Sequence, residues 1–527
     1  MTKSHDGETS HLDIEQEHGT PLTKEQTAIT LPTRIPYQQH LRDILSIAST
    51  IVLSEIFQNT LPLIDIAFVG KLPGNENLAA AGLATLWFNI WNTAMIGFTS
   101  AIDTLLAQSY GARDTEAFGM WTGTSLVLVL GATAVVSVLI ACCEPMMLLF
   151  GQDALYAKMA GEFSMRLIPG LFPYYIFKVL VKYLQTQDRL LPGVIIGLLA
   201  NGWNVLGNWF FIHKLEWGLN GAPWATTFTR LLECLLMISY LCWKSRSSPQ
   251  PSANTITTAN NHHVSLIPPI FSIKHLTKCD NLMPFWALSI NGALSMMAEA
   301  WSFEVTTILA GLLGTIQLDA HVVTLGIATF IFLSFPFAIG LASSIRIGQL
   351  IGGAGASAAV TCDNQNSHTW MDAQRLCVVS ISFAFLVQGV LIAILLPMRK
   401  ILVNWFVSDA EVAIMIQDLI LLSGIFMLGD AFLASIGGAL RGLGQQKINL
   451  YLNILGFWVV GVPSGALLTF VFDLGVNGLW IGMSVGIYMS SIIGLFILFK
   501  GIDWEKETEK AQHRISINQK EIKEATR

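Results

Sequence analysis

Charge is scarce in this chain. Only 13% of its residues are Asp, Glu, Lys or Arg, where soluble domains carry about a quarter, so an ordinary soluble globule is excluded. The seven cysteines (Cys142, Cys143, Cys234, Cys242, Cys279, Cys362 and Cys377) include no CxxC pair. They read as small apolar residues rather than a disulfide framework or a metal site. No Gly-rich phosphate loop occurs, which leaves ATP without a place as energy source. Neither GxSxG nor HExxH is present, so the sequence points to no enzyme, no cofactor and no bound metal. Scattered histidines such as His321, at a span edge beside Asp319, read as interfacial. A cleavable signal peptide is also missing, because the first apolar segment is late, long and preceded by an acidic tail.

Hydrophobic residues make up 53% of the chain, and mean hydropathy is +0.55. The apolar runs exceed ten residues without strict alternation, which argues against a β-barrel. At ~20 apolar residues per span and ~15–20 per connection, the roughly 460 residues between the polar tails hold about twelve helices. Starts fall near residues 44, 78, 118, 155, 190, 219, 282, 320, 374, 411, 448 and 477. The predicted fold class is therefore an all-α membrane protein of about twelve transmembrane helices. An N-terminal tail over 1–43, a first half over 44–243, a linker over 244–281, a second half over 282–499 and a C-terminal tail over 500–527 complete the division. The N-terminal tail reads as disordered, the linker as flexible and the C-terminal tail as solvated. Paired histidines in the linker, His262 and His263, read as polar loop residues rather than metal ligands.

Lys and Arg set the orientation. Connections on the side of the tails carry Arg113, Lys182, Arg189, Lys244, Arg246, Lys274, Lys278, Arg346, Arg375, Arg441 and Lys447. Opposite connections carry only Lys71, Lys158, Lys214, Arg399 and Lys400. Both termini are thus expected in the cytoplasm. The two halves also echo one another. Glu216-Trp217-Gly218-Leu219-Asn220-Gly221 before span six matches Asp473-Leu474-Gly475-Val476-Asn477-Gly478 before span twelve. A fainter echo links Gln108-Ser109-Tyr110-Gly111-Ala112 with Gln349-Leu350-Ile351-Gly352-Gly353. Parallel repeats of this kind build transporters whose sites lie near the membrane midplane.

Acids inside apolar runs are the strongest functional signal. A charge at the centre of a membrane helix costs ~2.5–3.5 kcal/mol on insertion scales, so it persists where it meets a cavity or a partner. Glu299 and Glu304 share span seven, and Asp430 stands in span ten among Gly429, Gly437 and Gly438. Five residues separate the two Glu, about 140° around an ideal helix, so both cannot face one narrow cleft unless the helix bends. Gln58 and Asp65 in span one project from one face, about 20° from eclipsed. Asp103 reads as a hydrogen-bonded anchor, with substrate contact as the alternative. Asn204 and Asn208 in span five share a face, beside Asn201. Pro336 and Pro463 inside spans suggest kinks.

Several short motifs then fall into a familiar order: Phe68-Val69-Gly70-Lys71-Leu72 with Leu78-Ala79, and Ser100-Ala101-Ile102-Asp103-Thr104 with Gln108-Ser109-Tyr110-Gly111. Tyr183-Leu184-Gln185-Thr186-Gln187 with Pro192, Glu299-Ala300-Trp301 with Phe303-Glu304, and Gly437-Gly438-Ala439-Leu440-Arg441-Gly442 with Gln446 follow. Together they resemble the multidrug and toxin extrusion (MATE) family, more its eukaryotic branch than its bacterial ones, across the whole membrane part. The resemblance implies two pseudo-symmetric six-helix lobes around a central cavity. It also implies antiport of organic cations, drugs or amphipathic metabolites against protons, with sodium as the alternative ion. Glu299, Glu304 and Asp430 match the family's cation-coupling acids, and Asp65 resembles the first-helix aspartate of bacterial members. Whether one coupling site operates or two stays open. Ala300 and Ser302 depart from the bulkier aromatic pairing common after the first Glu.

The expected partners are a small organic cation or amphipathic substrate and the lipid bilayer, with no nucleic acid and function as a monomer. Plasma membrane and vacuolar or lysosomal membrane are both open. Rival readings are a lipid-linked oligosaccharide flippase, which needs a more basic cavity than these mainly acidic charges offer, and a membrane-embedded enzyme, which needs a reactive cluster at one depth. A channel would need pore-lining repeats, usually across an oligomer.

Overall fold

The computed structural model describes residues 35–247, 279–358, 366–406 and 409–514. The two histidines of the linker, Lys274, Lys278 and Cys362 lie outside the described residues. Within them there is helix and no strand. The helices are α1 (Tyr37–Val69), α2 (Asn75–Phe98), α3 (Ser100–Gly111), α4 (Thr115–Ala141), α5 (Cys143–Leu149), α6 (Ala154–Gln185), α7 (Leu191–Asn208) and α8 (Gly221–Ser247). The second half holds α9 (Cys279–Gly311), α10 (Thr315–Ser334), α11 (Pro336–Ala358), α12 (Asn366–Phe406), α13 (Ala410–Leu443), α14 (Gln446–Asn453), α15 (Val462–Phe470) and α16 (Val476–Phe496). Joined where they abut, they make twelve crossings, of which ten are long and apolar enough to span a membrane by themselves. The other two are the α2–α3 pair and α9. Helix α1 begins before residue 44, because His40 and Ile44 are buried and extend its packed face.

The same irregularities recur in both halves. Span two breaks between α2 and α3 at Thr99, whose hydroxyl bonds the Ile96 carbonyl at 2.9 Å. Span eight breaks between α10 and α11, where Pro336 has no N–H to continue the ladder. Spans five and eleven each loosen into a wider π segment, over Trp209–Lys214 and Ile454–Gly461. Pro463 opens α15 directly after the second of these. Asp114, Asp153 and Asp409 cap the starts of α4, α6 and α13 by accepting backbone N–H bonds.

Two apolar cores result, and they trade half-helices. The first part of α1 (Ile44, Ile47, Ala48, Ile51) packs into the core of the second lobe, while Val69 at its far end belongs to the first. Reciprocally, Phe285 and Leu288 of α9 pack into the first lobe, while Phe303 packs against the second. Each lobe therefore owns one helix and borrows half of its counterpart.

Lobe-to-lobe hydrogen bonds among the described residues all lie on the side where α1 begins. Thr104 Oγ1 donates to the Arg441 carbonyl (2.6 Å), Gln108 Nε2 to the Gly442 carbonyl (3.0 Å) and Gln349 Nε2 to the Thr186 carbonyl (3.0 Å). Arg346 reaches Asp43 of α1 at 2.7 Å. Backbones meet there: a Cβ on Gly352 would run into the Gln108 carbonyl, and one on Gly292 into Gly97. This seal corrects the sequence placement of Lys182, Arg346 and Arg441 in connections. All three lie inside helices and reach into the seal, Arg441 buried and Lys182 and Arg346 partly so. His321 is likewise corrected. It is 2% exposed, with its ring 5.7 Å from Trp480, because α16 and α13 cover the start of α10.

Candidate functional site: two acid sites, one in each lobe

In the second lobe, α9, which carries Glu299, packs mainly on α10 and α14, and its Phe303 ring meets Phe426 of α13, the helix of Asp430, at 5.6 Å. The two carboxylates are near enough for the charge of one to act on the other. Asn453 of α14 donates to Glu299 Oε2 at 3.4 Å and to the Ser295 carbonyl at 3.0 Å, and Asn449 donates to the Ser295 hydroxyl at 2.8 Å. Asp430 is 5% exposed and accepts no hydrogen bond from any described residue. Gly429 beside it lets α16 approach, since a Cβ there would stand 2.8 Å from Ile487. Glu304 lies round the helix from Glu299, half-buried, with no described partner, so the structure joins Glu299 to Asp430 and leaves Glu304 apart. Two neighbouring like charges in apolar surroundings repel strongly, and a proton, a metal cation or an organic cation relieves that repulsion.

The first lobe repeats the plan with different detail. Asp65 of α1 is buried and fully occupied: Asn208 Nδ2 (2.7 Å) and Asn204 Nδ2 (3.2 Å) donate to Oδ1, and the Thr226 hydroxyl donates to Oδ2. Asn204 and Asn208 on α7 thus answer Asn449 and Asn453 on α14, each pair four residues apart on span five of its half. Gln58 shares the Asp65 face of α1, as its spacing predicts, but meets Glu233 of α8 at 2.6 Å. Thr226 and Glu233 are themselves seven apart, the same step as Gln58 and Asp65, so two antiparallel faces match. Asn201 bonds the Phe57 and Gly197 carbonyls and holds α7 to α1.

Asp103 on α3 is held by Lys182, whose Nζ is 2.6 Å from both carboxylate oxygens. Arg441 is buried nearby, its guanidinium 5.5 Å from the Phe337 ring centre. These three line a small cavity of about 20 Å³, with room for one water, where the lobes close. Reading from sequence missed Glu55, Lys178, Arg230 and Glu233, so the expectation of mainly acidic membrane charge holds for the second lobe alone. The signal lay in α6 and α8, where Lys178 and Lys182 are one helical turn apart and Arg230 precedes Glu233 within an apolar run.

Twelve crossings in two lobes, with an acid inside the first helix of each, define a multi-pass membrane transporter. The MatE family model matches residues 50–210 and 292–467, and the chain belongs to that family. It is 27% identical to multidrug and toxin extrusion protein 1 of Xenopus tropicalis over 507 residues, 96% of this chain and 81% of the relative. Identity to protein DETOXIFICATION 16 of Arabidopsis thaliana is also 27%, over 91% of each chain. Among solved structures, the eukaryotic MATE transporter AtDTX14 superposes with a TM-score of 0.78 at 25% identity, covering 91% of this chain and 99% of that one. A MATE protein in a bent conformation shares the fold at a TM-score of 0.74 and 17% identity. The chain is accordingly an efflux transporter, not an enzyme.

Proposed function

We propose that this protein is a secondary antiporter that exports organic cations, drugs or amphipathic metabolites in exchange for protons, by alternating access between two lobes. The observation that carries the reading is the Glu299–Asp430 pair, in which one carboxylate has a single long hydrogen bond and the other has none among the described residues. Neighbouring carboxylates with so few partners favour an occupant, and a proton and a cationic substrate compete for the same pair. Competition of that kind is antiport: the substrate leaves where protons are abundant, and the protons leave where they are scarce. Glu304 sits at the margin of this site. Asp65 with Asn204 and Asn208 forms a second cation site in the first lobe, Gln58 sets the neighbouring Glu233, and Asp103 anchors the seal.

The lobes over 44–243 and 282–499 act as the two moving bodies of a functional monomer. With Lys and Arg concentrated on the side of the termini, that side is cytoplasmic, in a plasma membrane or the membrane of an acidic organelle. The sealed face is then the cytoplasmic one. The relatives' names, which speak of extrusion and detoxification, support the export direction.

Proteoliposomes loaded with a fluorescent organic cation test the scheme. A pH gradient drives transport by the wild-type protein, and Glu299→Gln and Asp430→Asn abolish that drive. Equal transport by all three proteins removes the acids from the mechanism. Drive by a sodium gradient alone replaces the proton with sodium.

A further inference from the structure

The start of the C-terminal tail is packed, where its balanced charges had suggested a solvated segment. Residues 504–514 form a helix, and Asp503 caps it by accepting the Lys506 N–H at 3.2 Å. Trp504, Thr508 and Ala511, spaced by four and three, are buried, whereas Glu505, Lys506, Glu509 and Lys510 are exposed. Trp504 and Ala511 belong to the core of the second lobe, and Trp504 Nε1 donates to the Leu498 carbonyl at 2.8 Å. Gln445, in the turn between α13 and α14, donates to Glu507 at 2.6 Å. The helix is thus anchored on the second lobe.

Arg514, at its end, crosses to the first. Its Nη2 donates to Gln108 Oε1 of α3 at 3.5 Å. Gly444, in the left-handed region at φ 79°, makes room for the guanidinium. A Cβ there would stand 3.2 Å from both Nη1 and Nη2, and 3.5 Å from Thr104 of α3. Gln108 and Thr104 are the side chains that donate across the seal to the Gly442 and Arg441 carbonyls. Arg514 therefore joins the seal at its hydrogen-bonded knot. It gains little stability there, because its bond is long and its Nε is sealed without a partner. The contact nevertheless bears on the movement that parts Gln108 from Gly442.

We propose that this helix is a strap across the seal, with Arg514 as the positioning residue that holds the lobes together on that side. The strap rides on the second lobe and grips the first through Gln108 while the face is closed. A grip this weak breaks in every cycle, so it sets the balance between the two facings instead of locking one. The proposal rests on the alternating-access reading and adds a residue that tunes it.

Distances between spin labels test it on the full chain in lipid nanodiscs. The labels sit at Glu116→Cys in α4 and Lys447→Cys in α14, both exposed on the sealed side, one in each lobe. The seven native cysteines are replaced by alanine. Double electron–electron resonance then reads the ratio of the parted to the closed separation. Arg514→Ala raises that ratio about three- to tenfold, the range of one modest hydrogen bond, and Arg514→Lys raises it less. Trp504→Ala, which frees the helix from the second lobe, also raises it. In transport, Arg514→Ala lowers KM for an organic cation offered on the sealed side by a similar factor, because more of the protein is open there. A merely structural loss lowers the maximal rate instead.

Arg514→Ala keeps the Trp504, Thr508 and Ala511 anchors, so an unchanged ratio in that variant overturns the proposal. A rise in Trp504→Ala alone also overturns it, since the helix then acts by packing and not through Arg514. Two separations whose ratio ignores both variants count against the strap alone. One fixed separation at acid and neutral pH, with and without an organic cation, counts against alternating access as well.

Discussion

Each lobe sets an acid on its first helix against two asparagines four residues apart, yet the two acids live differently. Asp65 takes bonds from three donors and is complete. Glu299 takes one long bond and faces Asp430, which takes none. The first lobe also balances its acids with cations, while Arg346 and Arg441 of the second are drawn down into the seal between the lobes. A duplicated scaffold therefore carries one satisfied site and one open one. Buried polar groups that are fully paired rigidify a protein, and those left unpaired wait for a ligand or a proton.

The strongest way to break this contrast is Asp430→Asn. Proton-driven transport of an organic cation falls by roughly thirtyfold or more, as expected when one member of a desolvated charge pair is lost at a cost of ~2 kcal/mol or more. Initial rates in proteoliposomes measure it, and a fall no larger than that of Asp65→Asn makes the lobes equivalent. Next comes Asp103→Ala, which strands Lys182 and costs about 3–5 kcal/mol of stability. The thermal unfolding midpoint drops accordingly, and Asp103→Ala combined with Lys182→Met recovers most of the loss. Unchanged unfolding of the single variant denies that the first lobe depends on paired charge.

Gly352→Val acts on the seal instead. Its side chain meets the Gln108 carbonyl, so the closed face opens and cysteine labelling at introduced sites near residue 349 increases several-fold. Labelling equal to that of the wild type places the seal elsewhere. The smallest effect belongs to Asn453→Ala, which removes one weak bond from Glu299 and lowers transport by severalfold, about the value of a single buried hydrogen bond. The corresponding Asn208→Ala loses a 2.7 Å bond to Asp65 and lowers stability more than it lowers transport.

Much of this was legible in the residues. Hydropathy gives the crossings, and the acids of spans one, seven and ten stand out because lipid tolerates so little charge. The shared face of Gln58 and Asp65, and that of Asn204 and Asn208, follow from helical spacing alone. Pairing across helices does not. Nothing local in Gln58 says that its partner is Glu233, and Lys182 looks like an interfacial lysine until Asp103 is brought beside it by packing of α3 on α6. Arg441 and His321 were hidden for the same reason. Their surroundings are set by helices distant in sequence, and sequence position near a span end carries no information about burial there.

The exchange of half-helices between the cores has a further effect on how the chain must assemble. Neither half has a complete interior until α1 and α9 have been handed across, so each supplies a missing wall of the other. Covalent continuity between the halves is then secondary to this mutual insertion. Two separately made fragments, cut within the segment before Cys279, should find each other in the bilayer, whereas either one alone would present an unfilled groove and be cleared.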